Sequence, residues 1–172
     1  MYNTYGTLVY NLALNYLNNN EDAEEITQDV FITVYQSIHK FNEQSSLKTW
    51  VYKIAVNKCL DFLRAKKRKK RWATISNIFN DEGAIQHNLP DFIHPGVLLE
   101  NKENTTHLFK AINKLPETQK TAFLLSHIEN VGNKEIAVIM SKTVSSVESL
   151  IQRAKENLRK ELSNFFDQYR RN

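Results

Sequence analysis

Apolar residues recur at intervals of three and four along most of this chain, the spacing that lines one face of an α-helix. Tyr5, Leu8, Val9, Leu12, Ala13, Tyr16 and Leu17 predict a first helix, ended by Asn18, Asn19 and Asn20. Ala23, Ile26, Val30, Val34 and Ile38 predict a second, beginning near Asp22, whose carboxylate suits the positive end of the helix dipole. The opposite face of that helix carries Asp22, Glu25, Asp29 and Gln36. The polar stretch Phe41–Ser46 breaks the period, and Ser45 or Ser46 caps a third helix. In that helix Leu47, Val51, Ile54, Ala55 and Phe62 share one side, while Trp50, Lys53, Asn57, Asp61 and Arg64 share the other. A basic run from Lys66 to Arg71 comes directly after.

Beyond Arg71 the period is lost. Residues 72–103 hold Pro90, Pro95 and two glycines among scattered apolar residues, and are expected to form an irregular linker. A second set of helices then begins near Asn104, with Leu108, Ala111, Ile112 and Leu115 as a short stripe. Pro116 fits the first turn of a helix bearing Ala122, Phe123, Leu125 and Ile128, stopped by Asn130, Val131 and Gly132. Asn133 is placed to cap a short helix with Ile136, Ala137, Ile139 and Met140. After Ser141, Lys142 and Thr143 comes a long helix with Val147, Leu150, Ile151, Ala154, Leu158 and Leu162. The expectation is an all-α protein of two small helical domains, 1–71 and 104–172, joined by the linker.

Composition agrees: 172 residues with 4 Gly and 3 Pro, 41% hydrophobic and 24% charged, are those of a helical protein rather than a sandwich, barrel or disordered chain. The formal charge of +4 permits a nucleic-acid partner without demanding one, because the excess is local. The single cysteine, Cys59, sits mid-helix among core positions and has no partner for an intramolecular disulfide, which fits a reducing, cytoplasmic setting. No apolar run approaches the roughly 18 residues of a membrane span, and the first residues lack the order of a signal peptide, so no membrane insertion is expected.

Two faces carry candidate chemistry. The Trp50 face, with the basic run beside it, combines cations that track phosphates with a ring on which an unstacked base can lie. A half-buried packing tryptophan next to a solvated charge run is the plainer alternative. The last two helices have helix-turn-helix grammar, with Ala137 where helices cross and Ser145, Ser146, Glu148, Ser149, Gln152 and Arg153 on the outward side of the second. A helical hairpin with a polar outside would look the same. The histidines, at 39, 87, 94, 107 and 127, are dispersed, and Asp91 with His94 is better read as linker surface than as a metal pair. There is no phosphate loop, nucleophile elbow or paired-cysteine motif, so no catalytic residue, metal or cofactor is expected.

The run Asp22, Ala23, Glu24, Glu25, Gln28, Phe31, then Ser45, Ser46, Leu47, Thr49, Trp50, Tyr52, Ile54, Ala55, Asn57, Asp61, Leu63 and Arg64, resembles the promoter-melting region of extracytoplasmic-function sigma factors of bacterial RNA polymerase. Leu115, Pro116, Phe123, Glu135, Ile136, Ala137, Val147, Glu148, Ser149, Arg153, Ala154, Leu158 and Arg159 resemble the promoter-reading region of the same family. The resemblance implies that Asp22, Glu25, Gln28 and Asp29 dock on the polymerase core. It implies that Asn42 and Gln44, in a loop receiving a flipped base, work on the melted downstream element with Trp50, Lys53, Asn57, Arg64, Lys66, Lys67 and Arg68. The helix from Val144 would read an upstream element. Partners implied are core polymerase and promoter DNA, with an anti-sigma protein left open. Ser141 and Lys142 depart from the family's usual Gly and apolar residue, and Gln152 from its usual basic residue or His. A stand-alone helix-turn-helix regulator with an amino-terminal dimerisation domain, or a helical adaptor without nucleic acid, are the alternatives.

Overall fold

The computed structural model describes residues 1–79 and 102–169. Every regular element among them is helical: α1 Tyr2–Leu17, α2 Asn20–Ser37, α3 Leu47–Phe79, α4 Lys102–Lys114, α5 Glu117–Phe123, α6 Asn133–Met140 and α7 Val144–Tyr169, with a 3₁₀ turn at Ile38–Lys40 and a π-turn at Leu124–Ile128. By compactness the chain divides into Met1–Phe41 with Ile54–Phe92, and Asn42–Lys53 with Ile93–Asn172. Most of the expected linker, with His87, Asp91 and His94, lies outside the described residues.

In the first unit α1 is the central element. Val9, Leu12, Ala13 and Tyr16 follow the expected stripe and are buried, and Leu14 and Asn15 are buried too, so its second half is enclosed nearly all round. Helix α2 lies along it through Ala23, Ile26, Val30 and Val34. Burying a Val or Ile side chain is worth about 1.5–3 kcal/mol, so this stripe alone outweighs any surface ion pair in the unit. The α1–α2 connection is built from asparagines. Asn18 takes the left-handed conformation, φ 50°, that Asn tolerates better than most residues, and Asn19 Oδ1 accepts from the Asp22 amide at 2.8 Å. The cap is therefore Asn19, and Asp22 sits inside the helix. Ile38 leaves the expected stripe and is 37% exposed, because the chain tightens into the 3₁₀ turn there and shifts the side-chain direction.

Ser46 starts α3, its hydroxyl accepting from the Thr49 amide at 3.1 Å. The buried side of α3 is rotated from the expected one: Val51, Ala55 and Cys59 are buried as foreseen, but with Tyr52 and Val56, while Leu47, Ile54 and Phe62 are half-buried. The helix also continues past Arg71 to Phe79. Residues 72–79 contain neither Gly nor Pro, and an established helix adds one hydrogen bond for each residue fixed.

In the second unit α4, α5 and α6 pack on α7. Ile112, Leu124, Leu125, Ile136, Val147, Ala154 and Leu158 fill the core. Gly132 rather than Asn133 precedes α6, and Pro116 immediately precedes α5 instead of opening it. The π-turn after α5, absent from the periodic pattern, widens the helix by one residue before Asn130 closes it at φ 52°.

Candidate functional site

The turn before α7 sets the angle of the helix-turn-helix. Beyond α6, Ser141 has φ 52° and ψ 50°, its amide donates to Val138 O at 3.3 Å, and the Lys142 amide donates to Ala137 O at 2.9 Å. This is the Schellman closure, with a serine where glycine is usual. Thr143 Oγ1 then accepts from the Ser146 amide at 3.2 Å and caps α7, a role not expected from the sequence.

On α7, Ser145, Glu148, Ser149, Gln152 and Arg153 are exposed opposite the buried Val147, Ile151 and Ala154. Ser146 is half-buried and lies toward the edge of that face. Several of these groups have local partners. Ser149 Oγ donates to Ser145 O at 3.0 Å, Gln152 Nε2 to Glu156 Oε1 at 3.1 Å, and Asn133 Nδ2 to Glu148 Oε1 at 3.5 Å. All are exposed bonds, individually modest and exchangeable for a ligand. Asn133 thus borders this face, and Lys134 on α6 and Lys142 in the turn are exposed. Behind α5, His127 stacks flat on Phe123, centroids 4.8 Å apart. Burial, then the nearby Lys155 ammonium, holds its imidazole below the ordinary value.

Along α3, Trp50 and Lys53 are half-buried, whereas Asn57, Asp61 and Arg64 are exposed. Arg64 reaches Asp61 at 3.3 Å. Asn42 and Gln44 are exposed in the preceding turn, where Asn42 Oδ1 accepts from the Gln44 amide at 3.5 Å, and Glu43 has φ 58°. Within the second unit, Thr49 Oγ1 donates to Glu135 at 2.9 Å and Tyr52 OH to Glu129 at 3.1 Å; burial and that carboxylate push the phenol well above its usual range.

The acidic and basic candidates of the first unit meet. Lys66 Nζ bonds Asp22 at 2.8 Å and stands 5.5 Å over the Phe62 ring, and Lys58 lies 3.8 Å from Asp29. Asp29 thus has a cationic neighbour within its own unit. Such partly exposed pairs contribute about 0–1 kcal/mol and leave the groups available to a stronger partner. Lys67 and Arg68 are exposed. Glu25 and Gln28 are exposed on α2, and beyond them stand two residues not expected from the sequence, Ile32 at 54% and Tyr35 at 84% exposure. Their signal was there to find: large apolar residues three apart and off the buried stripe.

Residues 1–69 match the family model described as Sigma-70 region 2, and residues 108–158 that described as Sigma-70, region 4. Over 160 residues the chain is 30% identical to the ECF RNA polymerase sigma factor SigW of Bacillus subtilis, covering 92% of this chain and 84% of that protein. Over 152 residues it is 33% identical to the ECF RNA polymerase sigma-E factor of Haemophilus influenzae, covering 88% and 80%. The fold is similar to that of the sigma factor RpoE from Bartonella quintana, solved with the anti-sigma factor NepR, at TM-score 0.65 and 21% identity over 91% of each chain.

Proposed function

The chain belongs to the extracytoplasmic-function sigma factors of RNA polymerase, and on that premise we propose how its parts share the work of initiation. A sigma factor binds core polymerase, recognises two promoter elements and promotes strand opening; this membership replaces the alternatives of a stand-alone regulator or an adaptor. We assign residues 1–71 to core binding and melting, 72–103 to a connector and 104–172 to upstream recognition. The factor supplies no chemistry of its own and works beside the polymerase in the cytoplasm. An anti-sigma protein is a further partner, as in the RpoE–NepR complex.

The exposed face of α7 enters the major groove of the upstream element. Arg153 and Gln152 carry the donors best suited to base edges or phosphate, and the exposed Lys134 and Lys142 are further cations for phosphate. On α3, Trp50 and Lys53 with Asn57, Arg64, Lys67 and Arg68 take the melted strand, and Asn42 and Gln44 read an extruded base. Lys66 exchanges Asp22 for phosphate. Opening one base-pair step costs on the order of 1.4 kcal/mol, which stacking of about 1–3 kcal/mol per base offsets.

Core docking rests on α2, and one observation carries the assignment: Ile32 and Tyr35 stand out on the same helix as Glu25, Gln28 and Asp29. Acidic groups set orientation and on-rate, while an exposed aliphatic–aromatic pair supplies the apolar anchor a stable interface needs. Replacing Ile32 by Asp leaves the buried stripe untouched. Its expected result is a wild-type melting curve with core binding weakened at least tenfold in a pull-down titration. Undiminished binding removes this face from the interface.

A further inference from the structure

Between α1 and α2 lies a cavity of about 500 Å³ whose lining includes Tyr2, Gly6, Tyr10, Glu24, Thr27 and Gln28. No basic side chain lines it. Its rings are held in place: Tyr2 meets Phe31 edge-on at 4.8 Å and 62°, and Tyr10 OH donates to Asn20 Oδ1 at 3.3 Å. The Thr27 hydroxyl is turned away to Ala23 O at 2.7 Å. What remains facing an incoming group is two electron-rich rings, the polar side chains of Asn3, Thr7 and Gln28, and the exposed Glu24 carboxylate, the charged group of the lining.

That lining selects for charge. Ring faces and a carboxylate both attract a cation, and an anion or nucleic-acid phosphate would be repelled by Glu24. A purely apolar ligand would have to cover the carboxylate, which is costly. A planar guanidinium answers best, because it stacks on a phenol ring while donating to a carboxylate, whereas an ammonium is a compact point charge. Gln28 belongs both to this cavity and to the outward face of α2, so a partner seated on Ile32 and Tyr35 lies within reach of the opening.

We propose that the α1–α2 cavity receives a basic side chain, an arginine foremost, presented by the polymerase core as it docks on α2. The proposal rests on the docking assignment above and adds a specific receptor to it. Equilibrium binding of the full-length factor to core polymerase tests both. Glu24→Gln and Tyr10→Leu should each weaken binding about three- to tenfold, the range of a partly desolvated cation–π or charge contact. Glu24→Gln should also lower the salt dependence of binding. Glu24 is exposed, so this variant keeps its fold even if Tyr10→Leu does not; helical circular dichroism checks each. If Ile32→Asp weakens binding while Glu24→Gln binds as wild type with unchanged salt dependence, the cavity is not a receptor, although the docking face stands. If neither variant changes binding, both are overturned.

Discussion

Replacing Ser141 by Gly should stabilise this protein, although nothing about the serine's contacts suggests it. Ser141 is exposed and left-handed, φ 52° and ψ 50°, at the turn that aims α7. A residue with a Cβ in that region costs roughly 1–2 kcal/mol, and glycine removes the cost. Glycine also frees the unfolded chain, which takes back about 0.5–1 kcal/mol. The net expectation is about 0.5–1 kcal/mol of added stability, and a melting temperature raised by roughly 2–8 °C for a unit of this size. Hydrogen exchange of the full-length protein gives the unit-specific reading, since slowed opening should appear in α6 and α7 and not in α1 or α2. Ser141→Asn should fall between serine and glycine, and Ser141→Ala should gain nothing, because alanine keeps the Cβ. If alanine stabilises as much as glycine, or glycine not at all, the strain argument is wrong. Affinity for duplex promoter DNA should be nearly unchanged, as the Schellman bonds persist.

Three further outcomes are expected. His127 has its pKa lowered by burial and by Lys155, so the unfolded chain takes up a proton first as pH falls through 6.5; second-unit stability should decline from neutral pH into that window, and His127→Asn should flatten the decline in melting temperature, whereas an unchanged slope would acquit His127. Arg153→Ala, tested on a promoter library, should cost about 1–3 kcal/mol and relax one position if it reads a base, or weaken all sequences equally if it holds phosphate; no change would take it off the interface. Trp50→Ala should impair opening of ordinary promoters, read by permanganate footprinting, more than binding to pre-opened ones, by about the 1–3 kcal/mol of a stacked base. An equal defect on both templates would return this half-buried ring to packing.

The sequence by itself determined the helices, because a 3.6-residue period is a local property: α1, the buried stripe of α2 and the Val147, Ile151, Ala154 and Leu158 stripe of α7 could all be read without neighbours. It also carried the family, through residue types at fixed spacing. Caps were less legible, since Asn19, Thr143 and Gly132 were chosen over neighbours with similar propensities by the geometry of chain entry. Tertiary structure alone decided which flank of α3 faces inward: Tyr52 and Val56 are buried where Leu47, Ile54 and Phe62 were expected, because an apolar arc wider than the available contact leaves several rotations open until packing selects one. It alone brought Lys66 to Asp22 and Lys58 to Asp29, and left Ile32 and Tyr35 outside. Ion pairs and exposed patches depend on distances between segments remote in sequence, and those distances exist only once the helices have packed.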